Sequence, residues 1–407
     1  MVRVTDMTHG RPIRLILLFS LPLMLGSVFQ QLYTIVDTII IGRGVGMQAL
    51  ASIGAADWIN WLVLWGLQGF TQGFAILAAQ EFGAGAYDRL RRVLAMIVKL
   101  SCWFGIAVTI ISLLLVRPLL TLLHTDPAVF GGAQTYLYVQ FGGSLIIIAY
   151  NMAAAVLRCL GDSRTPLFAI IAASFANIAL DLLFVMGFGW GIFGASFATV
   201  LAQLIAFLLC LRSLRRLPFV QLTKADWKTD PAILLHLCRL GIPTGLQMSM
   251  ITLGGMVLQS VLNGFGVVFV AGYTAANKLY GILESASVAF GYAMTAYMGQ
   301  NRGARNAARI DAGIRAVLVL SIGFTAAIVA TMLLAGKPLL GLFLSTEEAG
   351  AADALAVAHR YLMVLMAFLI ALFVLQAYRS SLQGLGEMTV PTLSGFAEML
   401  MRMGAAL

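Results

Sequence analysis

Between Ile13 and Ile41 the chain is apolar almost without interruption, with Arg14 at its edge and one acid, Asp37, inside. A run of this length crosses a bilayer as a helix, because ~20 residues rising 1.5 Å each span the hydrocarbon core. Ten further runs follow, at 49–79, 93–116, 130–157, 167–186, 191–211, 232–262, 267–298, 313–334, 355–378 and 391–407. The chain is 60% hydrophobic and 11% charged, against ~25% charged in a soluble domain. The predicted class is an all-α polytopic membrane protein with eleven spans. Several runs exceed the minimum, so tilt is expected.

The net charge of +9 raises the question of nucleic acid. The basic residues, however, sit in short connections between apolar runs and form no continuous face. Arg3, Arg11 and Arg14 precede the first run, and alternate connections carry Arg89, Arg91, Arg92; Arg158, Arg164; Arg212, Arg215, Arg216, Lys224, Lys228; Arg302, Arg305, Arg309; and Arg379. The intervening connections carry only Arg43, Arg117 and Lys337. This bias places the N-terminus and the 212–231 connection in the cytoplasm. The expected location is the inner (cytoplasmic) membrane, multi-pass, with the bilayer as partner and no nucleic acid. The first run is too long for a cleaved signal and is read as retained. Cys102, Cys159, Cys210 and Cys238 show no metal or disulfide spacing. The four histidines form no ligand set. Gly42-Arg43-Gly44-Val45-Gly46 follows a membrane helix and not a strand, so it reads as a tight turn and not a dinucleotide fingerprint.

An internal repeat organises the chain. Arg117-Pro118-Leu119-Leu120 recurs as Lys337-Pro338-Leu339-Leu340, Gln80-Glu81-Phe82-Gly83-Ala84 as Gln300-Asn301-Arg302-Gly303-Ala304, and Ala55-Ala56 as Ala275-Ala276, all at an offset of 220. Pro22 matches Pro243 at 221, and Leu160-Gly161-Asp162 with Pro166 matches Leu385-Gly386-Glu387 with Pro391 at 225. Both copies start on the same side, so the predicted fold is two pseudo-symmetric six-helix bundles in a parallel repeat. The predicted division is 1–211 for the N-terminal bundle, 212–231 for a cytoplasmic linker and 232–407 for the C-terminal bundle. By this register the second bundle is truncated in its eleventh helix, with about four and a half helices present.

Asp37 is the residue that asks for a function. A charge near the centre of a span costs ~2.5–3.5 kcal/mol on the insertion scale, and such residues mark ion or substrate pathways. The fifth run supplies Asn177 and Asp181, four apart and on one helix face. Asp37, Asn177 and Asp181 together offer hard oxygen ligands for Na⁺ or a place for a shared proton. Two facing carboxylates do not both ionise cheaply. Thr199 and Tyr136 or Tyr138 are candidates to complete the polar shell, although a threonine in a span commonly bonds back to its own helix. Gln30, Tyr33 and Asp37 follow i, i+3, i+7 spacing, a polar-aromatic stripe that serves either a substrate or helix–helix association. Lys278 and Glu284 are six apart and share no face. Glu398 and Arg402, four apart, read as a helix-surface pair.

These residues resemble the MATE family, the multidrug and toxic compound extrusion transporters. The likeness lies in Leu21-Pro22, Val36-Asp37-Thr38-Ile39-Ile40-Ile41-Gly42-Arg43, Gln80-Glu81-Phe82-Gly83-Ala84-Gly85, Leu160-Gly161-Asp162-Ser163-Arg164-Thr165-Pro166 and Gly194-Ala195-Ser196-Phe197-Ala198-Thr199. The resemblance implies twelve helices in two bundles and export of cationic amphiphiles in exchange for H⁺ or Na⁺. It implies that Asp37, Asn177, Asp181, Thr199 and Tyr136 form a cation-coupling network, and that Gln30, Tyr33 and Asn151 contact substrate. The DinF-like branch is favoured, because the seventh and tenth runs lack the acids that the NorM-like branch carries there.

The expected mechanism is alternating access by a monomeric antiporter, with Pro22 as a hinge in the first helix. It is not an enzyme and needs no cofactor beyond the coupling ion. Two other readings are a lipid-linked precursor flippase of similar fold, which would want a more basic cavity, and a non-transporting receptor or scaffold, which would not need intramembrane acids.

Overall fold

The computed structural model describes residues 4–343 and 350–406. Arg3 and the last residue of the 391–407 run lie outside the described residues. The described chain folds into α1 (Pro12–Gly44), α2 (Met47–Gly83), α3 (Tyr87–Leu122), α4 (Pro127–Gly142), α5 (Ser144–Cys159), α6 (Arg164–Asp181), α7 (Gly191–Arg215), α8 (Pro231–Leu262), α9 (Val267–Gly303), α10 (Ala307–Gly341), α11 (Ala351–Gly384) and α12 (Thr389–Ala406). Each apolar run forms helix, as continuous internal hydrogen bonding in a bilayer requires. Among the described residues, eight helices are long and apolar enough to cross a membrane, and the bent pair α4–α5 adds a ninth. Helices α9 and α12, which carry Lys278, Glu284, Glu398 and Arg402, are the remaining members of the eleven.

Two spans depart from the single helices expected. The fourth breaks at Gly143, where α4 and α5 meet at 50°. Two adjacent glycines each weaken a helix by roughly 1 kcal/mol. The side chain of Val200 on α7 packs into the space a Cβ at Gly143 would need. The fifth does not end at Asp181 but continues as a wider π turn, Leu182–Gly187. Pro22, by contrast, sits within an uninterrupted α1. It leaves one carbonyl without its helical donor.

The hydrophobic cores do not follow the chain. Met7, Ile16 and Phe19, at and before the start of α1, are buried among α9, α10 and α11. Ile233, Leu237 and Leu240, at the start of α8, are buried among α2, α3, α5 and α7. The halves thus exchange their leading segments at the end of the molecule that carries most arginines, here called the basic end. The segment after α7 is docked there as well. Phe219 packs on Phe82 and Tyr87, and Lys99 donates to the Trp227 carbonyl and the Thr229 hydroxyl.

At the basic end the repeated motif meets its own copy. Gln80 Nε2 donates to the carbonyl of Gly384 at 3.2 Å, and Gln300 Nε2 donates to the carbonyl of Cys159 at 2.9 Å. A Cβ on Gly83 would overlap the carbonyl oxygen of Gln300, and a Cβ on Gly303 would overlap that of Gln80. The glycines are required because backbone passes against backbone. The two bonds are copies of one another under the sequence offsets, so the motif forms a self-complementary clasp between halves. A second glycine contact, Gly73 against Gly241, extends the α2–α8 seam from the clasp.

Candidate cation and substrate site

Asp37 lies on α1 where it crosses α6. Asp181, at the last turn of α6, is fully buried, and Asn177 one turn earlier is 1% exposed. The two carboxyl groups are within hydrogen-bonding reach of each other. Both oxygens of Asp181, both amide atoms of Asn177 and Oδ1 of Asp37 have no protein partner. Buried polar atoms are nearly always satisfied, so five unpartnered atoms converging in one place are a binding feature. Two carboxyls in contact hydrogen-bond only when one holds a proton, and they otherwise need a cation between them. The π turn begins directly after Asp181. Such turns concentrate at functional positions.

The remaining sequence candidates divide. Tyr33 on α1 lies within electrostatic reach of both acids, and Tyr136 on α4 within reach of Asp37 and Tyr33. Thr199 on α7 donates to the Ala195 carbonyl at 3.2 Å, and Asn151 on α5 donates to the Ile147 carbonyl at 2.9 Å. Both therefore bond within their own helix, which leaves the Thr199 oxygen lone pairs, and the Asn151 amide oxygen with one N–H, to offer. Tyr138 is exposed and joins no hydrogen bond among the described residues.

Two residues of α2 join the site without having been singled out from sequence. Asp57 lies within electrostatic reach of Asp37 and of Tyr136. Asn60, one turn on and 4% exposed, donates to the Tyr136 hydroxyl at 3.2 Å, while its Oδ1 has no partner. Asp57 is an acid within the 49–79 run, so the signal that identified Asp37 was present there too.

Val28, Leu32, Ile35 and Ile39 form one exposed apolar stripe of α1, and Gln30, Gln31, Thr34 and Thr38 form an exposed polar stripe on the neighbouring face. In the second stripe Gln31 approaches Gly281 of α9. The two halves also meet nearer the basic end. Gln68 on α2 donates to the Tyr292 hydroxyl on α9 at 2.6 Å, and the Arg158 guanidinium of α5 lies 4.6 Å from the centre of the same ring.

The MatE family model matches the chain twice, over residues 22–183 and 243–406. The chain belongs to the MATE family. The two matches begin 221 residues apart, the offset that pairs Pro22 with Pro243. The probable multidrug resistance protein YpnP of Bacillus subtilis (strain 168) is 35% identical over 316 residues, 76% of this chain and 69% of that protein. The probable multidrug resistance protein NorM of Thermotoga maritima is 26% identical over 338 residues, 81% of this chain and 72% of that one. The fold matches a solved outward-facing conformation of a multidrug resistance MATE family transporter with a TM-score of 0.90 at 24% identity, covering 99% of this chain and 90% of that one. This MATE chain is a multidrug efflux antiporter by family and not an enzyme.

Proposed function

We propose that this MATE protein exports cationic, amphiphilic organic compounds in exchange for H⁺ or Na⁺, and that the exchange is made at Asp37 and Asp181. The observation that carries this reading is the set of unpartnered buried atoms on Asp37, Asn177 and Asp181. As a Na⁺ site these residues supply hard oxygens; as a proton site the carboxyl pair shares the proton. In either case arrival of the coupling ion neutralises the acids and removes the attraction for a cationic compound. Gln30, Tyr33 and Asn151 are assigned to contact with that compound. Tyr136 and Thr199 support the ion, and Asp57 with Asn60 forms its outer approach.

The coupling motion is assigned to α1. Its middle is exposed on two adjoining faces, so little packing holds it, and Pro22 marks the start of that stretch. The clasp at Gln80 and Gln300 closes the basic end, which the arginine bias assigns to the cytoplasm. The division 1–211, 212–231 and 232–407 is retained for the two bundles and their linker, with the leading segments exchanged. The protein is taken as a monomer in the cell inner membrane. Assignment to the DinF-like branch is supported by α8 between Gly241 and Leu262, and by α11 beyond its first turn, both free of acids.

The test is efflux of a cationic dye from proteoliposomes under separately imposed pH and Na⁺ gradients. Wild type is expected to respond to one gradient, and Asp37→Asn to neither. Unchanged efflux by Asp37→Asn overturns the site.

A further inference from the structure

The second half carries its own charged cluster where α11 and α12 meet. Glu398 on α12 is held by two arginines. Arg402, one turn later, donates from Nη2 to Oε1 at 2.7 Å, and Arg379 on α11, 7% exposed, donates to Oε2 at 3.1 Å. Arg379 also donates to the Ser394 hydroxyl at 2.6 Å. The sequence reading of Glu398–Arg402 as a surface pair is therefore incomplete. Glu284 on α9 is within reach of Arg402, Glu398 and the Tyr280 hydroxyl, and forms no ion pair closer than 4 Å among the described residues.

Its position gives the cluster meaning. Helices α6 (Arg164–Asp181) and α12 (Thr389–Ala406) begin 225 residues apart, and both follow a glycine in the left-handed region, Gly161 and Gly386. At that offset Arg402 is the counterpart of Asn177. At the offset of 221, Gly254 on α8 is the counterpart of Tyr33, and Leu258 of Asp37. Glycine at 254 makes the room. A Cβ there would lie 3.2 Å from Cδ of Arg402. Where the first half presents oxygens with no partner, the second half presents an arginine whose stem lies against a glycine and whose guanidinium holds Glu398.

We propose that Arg402 is a tethered cation that fills the second-half counterpart of the coupling-ion site, and that its seat takes a free guanidinium ion when the side chain is removed. Without Arg402 the Oε1 of Glu398 loses its donor while Arg379 keeps Oε2. A carboxylate oxygen left without its charged partner is costly unless another cation enters. A planar guanidinium matches the carboxylate geometry that Arg402 itself uses. One half of the exchanger thus binds a cation from solution, and the other supplies its own. This comparison rests on the reading of the first-half site given above; the experiment does not.

The experiment is thermal unfolding of purified Arg402→Ala in detergent, titrated with guanidinium chloride at low concentration and, separately, with potassium chloride. A saturable rise of roughly 2–4 °C with guanidinium alone is expected, absent from wild type and from Arg402→Ala combined with Glu398→Gln. A response no different from potassium, or one that survives the Glu398→Gln change, overturns the proposal. Should Arg402→Ala fail to fold, Arg402→Lys and Arg402→Gln are compared. Recovery of folded lysine variant but not glutamine variant supports a tethered charge, and equal recovery of both overturns it. The guanidinium response is expected to persist in an Asp37→Asn background, so failure of the first-half site is read separately in the efflux assay.

Discussion

Helix α6 brings Asn177 and Asp181 against α1, and no protein group satisfies them; helix α12 brings Glu398 and Arg402 against α8, and Arg379 completes the set. The two helices start at equivalent points of the repeat, pack against equivalent partners and follow equivalent glycine turns. What differs is whether the charge is balanced inside the protein. A balanced cluster holds helices together, whereas an unbalanced one needs something from outside. Pseudo-symmetry therefore preserves the frame, the clasp and the turns, while single interior side chains decide which half leaves buried polar atoms without partners.

The sharpest way to break the comparison is to remove an acid from the first half. Asp181→Asn is expected to weaken coupling-ion binding roughly 100-fold, the equivalent of the ~2.5–3.5 kcal/mol that an intramembrane charge represents, and efflux under the active gradient should fall to background. An effect of similar size from Glu284→Gln would show that the halves are not different. Next comes the clasp, where the halves should behave alike. Gly83→Ala and Gly303→Ala each force backbone apart at the basic end, and each is expected to cost about 1–3 kcal/mol. Thermal unfolding and labelling of a cysteine placed near Gln80 from the basic side should report equal changes for both. Unequal changes would limit the pseudo-symmetry to the sequence.

Asp57→Asn sharpens the picture of the first half. As an outer guiding charge Asp57 is expected to be worth roughly tenfold in rate at low ion concentration, with little loss at saturating ion. A loss that persists at saturation places it inside the coupling site instead. The smallest effect is expected in the connection between halves, where burial disfavours the charge of Asp226. Hydrogen bonds from Thr223, with Arg91 and Arg92 nearby, outweigh that burial and hold its carboxyl below the usual carboxylate range. A carboxyl depressed in the folded state stabilises above its unfolded value, 3.8 here, and loses that contribution as pH falls through the lower folded value. Asp226→Asn should cost about 1 kcal/mol or less at neutral pH, seen as faster proteolysis of residues 216–230, and the difference from wild type should vanish in strong acid.

Asp37 and Asp181 were legible because an acid in an apolar run is costly wherever it points. Asn177 followed from helical spacing to Asp181. Asp57 carries the same signal on α2, but nothing in its spacing links it to α1 or α6. Asn60 is an unremarkable amide in a span until its neighbour across the helix interface is known. Thr199 and Asn151 show the reverse: both have the right chemistry, yet each donates a hydrogen bond to its own helix. Arg379 and Glu398 are nineteen residues apart on different helices, so no periodicity links them. The break at Gly143 was written in two adjacent glycines, but glycine permits a bend without specifying its angle.

By itself the sequence determined the medium, the helices and the repeat, since bilayer thickness, backbone hydrogen bonding and charge cost act on each segment locally. It also determined that one half holds acids which the other lacks at the same register. Only the tertiary structure decided that the leading segments cross between cores, that the repeated glutamine–glycine motif clasps its own copy, and that Arg379 joins Arg402 on Glu398. Those outcomes depend on which side chains meet across helices far apart in the chain. Such a meeting is a property of packing that no single segment encodes.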